Sequence, residues 1–224
     1  MKHLFRCLAL ALGLATAAGA HAQYYEIANQ LPGLISPALQ GGLNYKGYVE
    51  ASGLAGFGGD RANFLGIATS QGFKYADWFF MGVGIGVDVA IANQDFDLSD
   101  PGPGNRPEYW ANSHKTKCMI PVFTDFRFNI GNQASTGFFI DLKLGAAWLV
   151  GNGYLRTSHG AMNNSTHFYL RPTLGVRIPI DSQHTNRAFN IGVTYQLLTS
   201  NNNWGWNNNS LTLNNVGVTV GYEW

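Results

Sequence analysis

The fold of this chain is predicted most directly by residues 80–91, which read Phe-Met-Gly-Val-Gly-Ile-Gly-Val-Asp-Val-Ala-Ile. Every second position, from Met81 to Ile91, carries a large apolar side chain, and the positions between them carry Phe80, glycines, Asp88 and an alanine. Successive side chains of a β-strand point to opposite faces. The stretch therefore predicts a strand with one continuous apolar face and one small or polar face. We expect its glycines to leave space for bulky neighbours.

The same alternation recurs along the chain, and we predict eight strands from it. They are residues 43–53, 62–73, 78–92, 117–130, 137–150, 166–180, 187–199 and 210–224. These segments are long compared with the ~5–6 residues of an average globular strand, and a tilted strand crosses the hydrocarbon layer of a membrane in ~9–11 residues. In the last segment the apolar parity shifts between Leu213 and Val216, which predicts a bulge near Asn214 and Asn215.

The connections between these segments alternate in length. Those after the second, fourth and sixth strands are short (74–77, 131–136 and 181–186), and those after the third, fifth and seventh are longer (93–116, 151–165 and 200–209). The first outer connection, 54–61, is short. Short periplasmic turns that alternate with long outer loops are typical of bacterial outer-membrane barrels.

The composition supports the same class. Charged residues make up 12% of the chain, against ~25% in soluble domains, while 28 residues are glycine and 13% are aromatic. After the N-terminal segment, no run approaches the ~18 apolar residues of a transmembrane helix. We therefore predict an all-β, eight-stranded antiparallel up-and-down transmembrane barrel. Aromatic residues expected at its membrane interfaces are Trp78, Phe79, Phe80, Phe138, Phe168, Tyr222 and Trp224.

The N-terminal residues predict export. Lys2 and Arg6 precede the apolar run 8–14, and Ala20-His21-Ala22 matches a cleavage site, so residues 1–22 are predicted to be a cleaved Sec-type signal peptide. Residues 23–42 are expected to form a periplasmic lead-in, either a short helix or a simple linker, and residues 43–224 the barrel, with no further domain. Without Lys2 and Arg6 the formal charge changes from +1 to −1, so no basic excess favours nucleic acid.

A soluble carrier of the lipocalin type would also have alternating strands. The residues on the polar face of the strands distinguish it from a membrane barrel. On a soluble barrel that polar face would meet water and be rich in Lys and Glu. Here it carries mainly Gly, Asn and Thr with nearly balanced charges: Lys46, Glu50, Asp88, Asp125, Arg127, Asp141, Lys143, Arg171 and Arg177. Because eight strands enclose a space just wide enough for side chains and unpaired buried charge is costly, we predict a network of ion pairs that fills the lumen. An ion pathway is the alternative.

The C-terminal residues carry a resemblance to a known family. Val216, Val218, Val220, Tyr222 and Trp224 stand at alternate positions and resemble the terminal-strand signal that the barrel-assembly machinery recognises. With the eight predicted strands, residues 43–224 resemble small outer-membrane barrels of the OmpA transmembrane-domain and OmpX type, and the outer-membrane β-barrel proteins of Bacteroidetes. The resemblance implies a structural, adhesive or host-interaction role in the outer membrane of a Gram-negative bacterium.

Lipid chemistry at the outer mouth is the alternative from another class. His114, His159 and His167 are expected near the outer end, with serines close by. The lipid A deacylase barrels carry a His-x-Ser on one strand, and this sequence contains none. Asp95, Asp97 and Asp100 lack the glycine and glutamate of a calcium loop. We therefore assign no catalytic residue, cofactor or metal, and keep a deacylase or acyltransferase and a narrow channel as alternatives.

The longer loops carry the residues expected to meet a partner. Trp110, Trp204 and Trp206 are unusual on a solvated surface and are predicted to contact either an external ligand or host surface, or the outer lipid headgroups. The predicted function is a monomeric, non-enzymatic outer-membrane protein with a structural or surface-interaction role, whose partners are outer-membrane lipid and, during biogenesis, the barrel-assembly machinery.

Overall fold

The computed structural model describes residues 44–92, 113–114, 116–131, 134–151, 154–157, 161–162, 166–180, 187–202 and 209–224. The predicted signal peptide, the lead-in and Trp110, Trp204 and Trp206 lie outside these residues. The long strands are β1 (Asn44–Phe57), β2 (Ala62–Ala76), β3 (Phe79–Ala92), β5 (Thr116–Ile130), β6 (Gly137–Leu149), β9 (Thr166–Pro179), β10 (Ala188–Asn202) and β11 (Asn209–Glu223). The short strands are β4 (Ser113–His114), β7 (Tyr154–Arg156) and β8 (Ala161–Met162).

The eight long strands form a closed barrel in the order β1-β11-β10-β9-β6-β5-β3-β2, and β2 pairs with β1 to complete the ring. All of these pairings are antiparallel, so the predicted fold class is confirmed. Strand β1 continues to Phe57, beyond the predicted end at residue 53. No helix that could cross a membrane occurs in the described ranges.

The predicted bulge near Asn214 and Asn215 is wrong. Strand β11 pairs with β10 in unbroken register from Asn209 to Glu223. Leu211 and Leu213 are buried inside the barrel, whereas Val216 faces outward. The apolar residues change face because the barrel interior becomes apolar towards that end, while the backbone register stays constant.

The barrel has two distinct ends. We call one the terminal end, because β1 begins there and β11 ends there. It also contains the connections β2–β3, β5–β6 and β9–β10. At the loop end lie the connections β1–β2, β3–β5, β6–β9 and β10–β11. The backbone N–H groups of Gly47 and Trp224 each donate to the other's carbonyl over 3.1 Å, which closes the ring at the terminal end.

The outer wall is apolar. Its most exposed large side chains include Leu65, Ile67, Leu174 and Val193, each at least 60% exposed. None of the outward-facing side chains described on the eight long strands is Asp, Glu, Lys or Arg. Charged residues of these strands lie on the inward parity.

Aromatic rings gather on the outside of the terminal end. The rings of Trp78 and Phe128 are stacked with centroids 6.1 Å apart, as are those of Tyr222 and Trp224. Phe80, expected among the interface aromatics, is instead fully buried inside the barrel, where its ring packs edge-on against Tyr48 at 4.8 Å. The reason is parity, since Phe80 shares the inward face with Gly82 and Asp88.

A second, small sheet lies in segments expected to be plain loops. Strand β7 pairs in parallel with β4 and antiparallel with β8, so two different loop-end connections are joined by hydrogen bonds. Leu155 of β7 and Met162 of β8 are fully buried within an apolar cluster shared with the barrel wall.

Candidate functional site

The candidate site is the barrel interior, where the buried polar residues collect. Small residues make room for larger ones opposite them. A Cβ added to Gly84 of β3 would lie 2.3 Å from the ring of Phe123, and one added to Gly175 of β9 would lie 2.6 Å from the ring of Phe139. The expectation that the glycines of residues 80–91 leave space for bulky neighbours is confirmed at Gly84.

A first charge cluster, the Glu223 cluster, fills the terminal end. The Glu223 carboxylate accepts hydrogen bonds from Lys46 Nζ at 2.9 Å, from Arg177 Nε at 2.7 Å and from Asn190 Nδ2 at 3.3 Å. Glu223 is fully buried and was not among the charges expected in the lumen. Its parity, opposite to that of Tyr222 and Trp224, is the sequence signal that could have identified it.

A second cluster, the Arg127 cluster, lies further inside. The Arg127 guanidinium donates to Glu50 and, over 2.8 Å, to Asp141. It is held between two aromatic rings, with its central carbon 4.0 Å from the centroid of Tyr48 and 4.6 Å from that of Phe139. Cation–π contacts of this kind strengthen when water is excluded, and Arg127 is completely buried.

Lys143 completes the Arg127 cluster. Its ammonium group lies 2.8 Å from Glu50 Oε2 and 3.8 Å from Asp125 Oδ2, and it also donates to Asp141. Strand register explains these contacts, because Asp125 lies directly opposite Lys143, and Arg127 directly opposite Asp141, on the paired strands β5 and β6. Oppositely charged cross-strand pairs of this kind are favourable.

Two of the nine predicted lumen charges, Asp88 and Arg171, lie outside both clusters. Arg171 donates to the hydroxyl of Tyr169 at 3.2 Å and to that of Thr219 at 3.3 Å. No described carboxylate lies within 4.0 Å of Arg171, and no described cation lies that close to Asp88. The other seven are brought together in the two clusters.

The interior towards the loop end is mainly apolar, although Lys117 and His167 are also buried there. The sequence interpretation did not anticipate this apolar region. Buried apolar side chains from most of the barrel strands meet those of β7 and β8 there. They include Leu54, Phe64, Met119, Phe123, Leu149, Leu155, Met162, Leu198, Leu211 and Leu213. The shift of the apolar residues of β11 from one face to the other was the sequence signal for this apolar region. It was interpreted as a bulge because the whole lumen was expected to be polar.

Of the histidines of the enzyme alternative, His167 is the one whose side chain lies in the described part of the chain. His167 is buried inside the barrel on β9. Ser113 and His114 form β4, while His159, His184 and Ser158 lie outside the described residues, as do Asp95, Asp97 and Asp100. Within the described ranges, no three His, Cys, Asp or Glu side chains are placed to hold a metal ion.

The C-terminal row faces outward. Val216, Val218 and Val220 are about half exposed on the outer wall of β11. The Trp224 ring covers Gly47 of β1, where an added Cβ would lie 2.5 Å from the ring. The row thus lines the seam at which the barrel closes.

The comparisons with known proteins found similar chains only among solved structures. No protein-family model matches the chain, and no curated protein matches it. It is similar to Neisserial surface protein A (11% identity, 80% of this chain and 95% of the other, TM-score 0.49). It is also similar to the outer membrane enzyme PagL (13% identity, 78% and 97%, TM-score 0.43) and to the N-terminal β-barrel domain of Pseudomonas aeruginosa OprF (11% identity, 81% and 99%, TM-score 0.41).

With these identities and TM-scores, the fold assignment depends on the strand pairing described above. The chain is an eight-stranded closed antiparallel barrel, and the solved structures to which it is similar are small outer-membrane barrels.

Proposed function

We propose that this protein is an integral outer-membrane barrel with a structural or surface-interaction role. The observation that carries the proposal is the distribution of charge across the wall. The described outward face is apolar and has no charged residue, while the inward face holds the Glu223 and Arg127 clusters. An exterior of this kind suits lipid, because apolar side chains then avoid water and the charges are paired inside.

The dimensions of the barrel support the same location. Strand β1 has 14 residues and β2 has 15. At ~3.3 Å per residue and a tilt of ~40°, strands of this length span roughly 35 Å, which exceeds the ~30 Å hydrocarbon core of a bilayer. The aromatic rings at the terminal end would then lie at the headgroup level on the periplasmic side.

The filled interior favours display over transport. Ion pairs occupy the terminal half, and the apolar cluster with Leu155 and Met162 occupies the loop end. The working surface would then be the loop end, where Trp110, Trp204 and Trp206 are the proposed contacts for an external ligand, a host surface or outer lipid headgroups. In this proposal residues 1–22 direct export, residues 23–42 form the periplasmic lead-in, and the row 216–224 is read by the barrel-assembly machinery.

Fractionation and gel electrophoresis test the location. The protein is expressed with its first 22 residues in a Gram-negative host, and the unboiled outer-membrane fraction is compared with the boiled fraction on a denaturing gel. The expected result is recovery in that fraction and a band that shifts on boiling, because a closed barrel stays folded in the cold detergent. Recovery as soluble periplasmic protein would contradict the proposal.

Two further measurements test the role. Planar bilayers that contain the purified protein are expected to show no discrete conductance steps, and steps would favour the narrow channel. Mass spectrometry of outer-membrane lipids is expected to give the same masses with and without the protein. A mass change that is lost in a His167→Ala or His159→Ala variant, with the gel shift retained, would identify a lipid-modifying enzyme instead.

A further inference from the structure

A row of hydroxyl groups crosses the barrel between the ion-paired clusters and the apolar loop end. The hydroxyls of Thr173 and Thr194 are 2.9 Å apart, and those of Thr194 and Thr219 are 2.7 Å apart, so three neighbouring strands are linked by side-chain hydrogen bonds. Thr219 of β11 lies directly opposite Ser52 of the neighbouring strand β1. These residues are small and polar, and the row therefore lines a polar level of the interior.

The two charges outside the clusters meet this row at neighbouring positions. Arg171 donates to Thr219 over 3.3 Å. Near Ser52, which lies opposite Thr219, the Asp88 carboxylate lies over Gly66 of β2, where an added Cβ would be 1.8 Å from Asp88 Oδ1 and 3.2 Å from Ser52 Oγ. Both charged side chains are only 2% exposed.

Several polar atoms around the row have no hydrogen-bond partner among the described residues. Asp88 Oδ1 accepts no hydrogen bond from any described residue. Gln196 lies two positions after Thr194 on the inward face of β10, and among the described residues its amide nitrogen has no acceptor and its amide oxygen has no donor. Gln196 is completely buried. Leaving a buried carboxylate or amide without a hydrogen bond is costly. Buried water is the usual partner of such groups, typically with about three hydrogen bonds per molecule.

We propose that Asp88 and Arg171 form a water-bridged ion pair, held by a buried water cluster along the Ser52–Thr219–Thr194–Thr173 row and capped by Gln196. The ligand class is water, and the site is built from one carboxylate, one guanidinium, one amide and four hydroxyl groups. In this proposal the interior has an ion-paired level at the terminal end, a hydrated level in the middle and a mainly apolar level at the loop end. The inference concerns the folded barrel and is independent of what the outer loops contact.

Solid-state NMR of the folded protein in lipid bilayers tests the site. Magnetisation is transferred from water to the side-chain carboxyl carbons of 13C-labelled protein, and the build-up is compared between Asp88 and Glu50. Glu50 is the matched control because it is also buried inside the barrel and both of its oxygens contact protein cations, Arg127 and Lys143. Asp88 is expected to receive water magnetisation well before Glu50. Equal, slow build-up at both carbons would overturn the proposal.

Two further readouts exclude the competing arrangements. A 13C–15N distance measurement between the Asp88 carboxyl and the Arg171 guanidinium is expected to exceed direct contact, and contact distance would replace the water bridge with an ordinary salt bridge. The Asp88 carboxyl shift is expected to be the same in sodium, potassium and choline chloride. A shift that follows the cation would assign a metal ion to the site and overturn the proposal. The Thr219→Val variant, checked for folding by its gel shift, is expected to delay transfer to Arg171.

Discussion

At the scale of single residues, Arg127 is the side chain on which most interior groups converge. It bonds two carboxylates and contacts two aromatic rings while completely buried. Its removal would leave Glu50 and Asp141 with only Lys143 to compensate them. The cost of this change is therefore dominated by the charges that remain.

Arg127→Met is expected to lower the free energy of unfolding by about 3–5 kcal/mol. The measurement is urea unfolding in lipid vesicles, followed by the gel shift between folded and unfolded bands. Arg187→Met is the control, because Arg187 is exposed in the β9–β10 connection and should change the midpoint little. Equal midpoints for the two variants would show that the Arg127 cluster does not stabilise the barrel.

Gly47→Ala is expected to destabilise the seam by about 1–3 kcal/mol, because the new methyl group would displace the Trp224 ring. The control is Gly53→Ala on the same outward face of β1, where an added Cβ meets only Leu65 at 3.7 Å. Urea midpoints in vesicles and the rate of folding into vesicles compare the two. If both variants behave like the unmodified protein, the Trp224 contact does not contribute to closure.

Residue-level prediction from the sequence succeeded where strand parity is decisive. Arg127, Asp141 and Lys143 each lie on the predicted inward face, because one-residue alternation specifies the face of every strand position. Which buried charges contact each other across the lumen was not predictable in the same way. Nothing in the spacing indicates that Arg171 lacks a carboxylate, since the closest neighbours across the lumen depend on barrel closure and stagger.

At the scale of elements, β11 shows what alternation alone cannot specify. The strand keeps one register throughout, yet its apolar residues occupy the inward face at Leu211 and Leu213 and the outward face from Val216 onward. Both faces of a strand in a membrane barrel can be apolar where the interior is packed with apolar side chains. A change of apolar parity therefore has two explanations, a bulge or a change of interior chemistry, and the paired strands decide between them.

Leu213→Ala is expected to cost about 2–5 kcal/mol of unfolding free energy, because it opens a cavity in the apolar cluster. The matched control is Leu65→Ala, since Leu65 is 60% exposed on the outer wall and lipid can fill the space that its side chain leaves. Urea unfolding in vesicles measures both. A larger loss for Leu65→Ala would contradict the inward placement of Leu213.

Val87→Arg is expected to destabilise the barrel by about 2–4 kcal/mol, the cost of a cationic side chain near the bilayer midplane, against about 0–1 kcal/mol near an interface. Val87 is half exposed in the middle of β3, whereas Thr116 is exposed at the loop end of β5. Thr116→Arg is therefore the control, measured by urea unfolding in vesicles. Similar losses for both variants would argue against a depth-dependent lipid environment around the barrel.

At the scale of the whole molecule, the number, order and face of the strands could be predicted because every signal in the sequence agrees: alternation, segment length and alternating loop lengths. The small sheet of β4, β7 and β8 was not predictable, because strands of two or three residues carry no alternation. Its pairing joins two loops that are distant in sequence. The apolar cluster at the loop end depends on the same contact, since Leu155 and Met162 come from that sheet.

The inward placement of charge also determines how the protein meets proteases. Trypsin cleaves after lysine and arginine, and only where the backbone can extend into its active site. The Lys46, Arg127, Lys143, Arg171 and Arg177 side chains all lie inside the barrel, on hydrogen-bonded strands. The folded wall therefore offers trypsin no site among these residues, and peptide-based proteomics of intact membranes would under-count this protein unless the barrel is first unfolded.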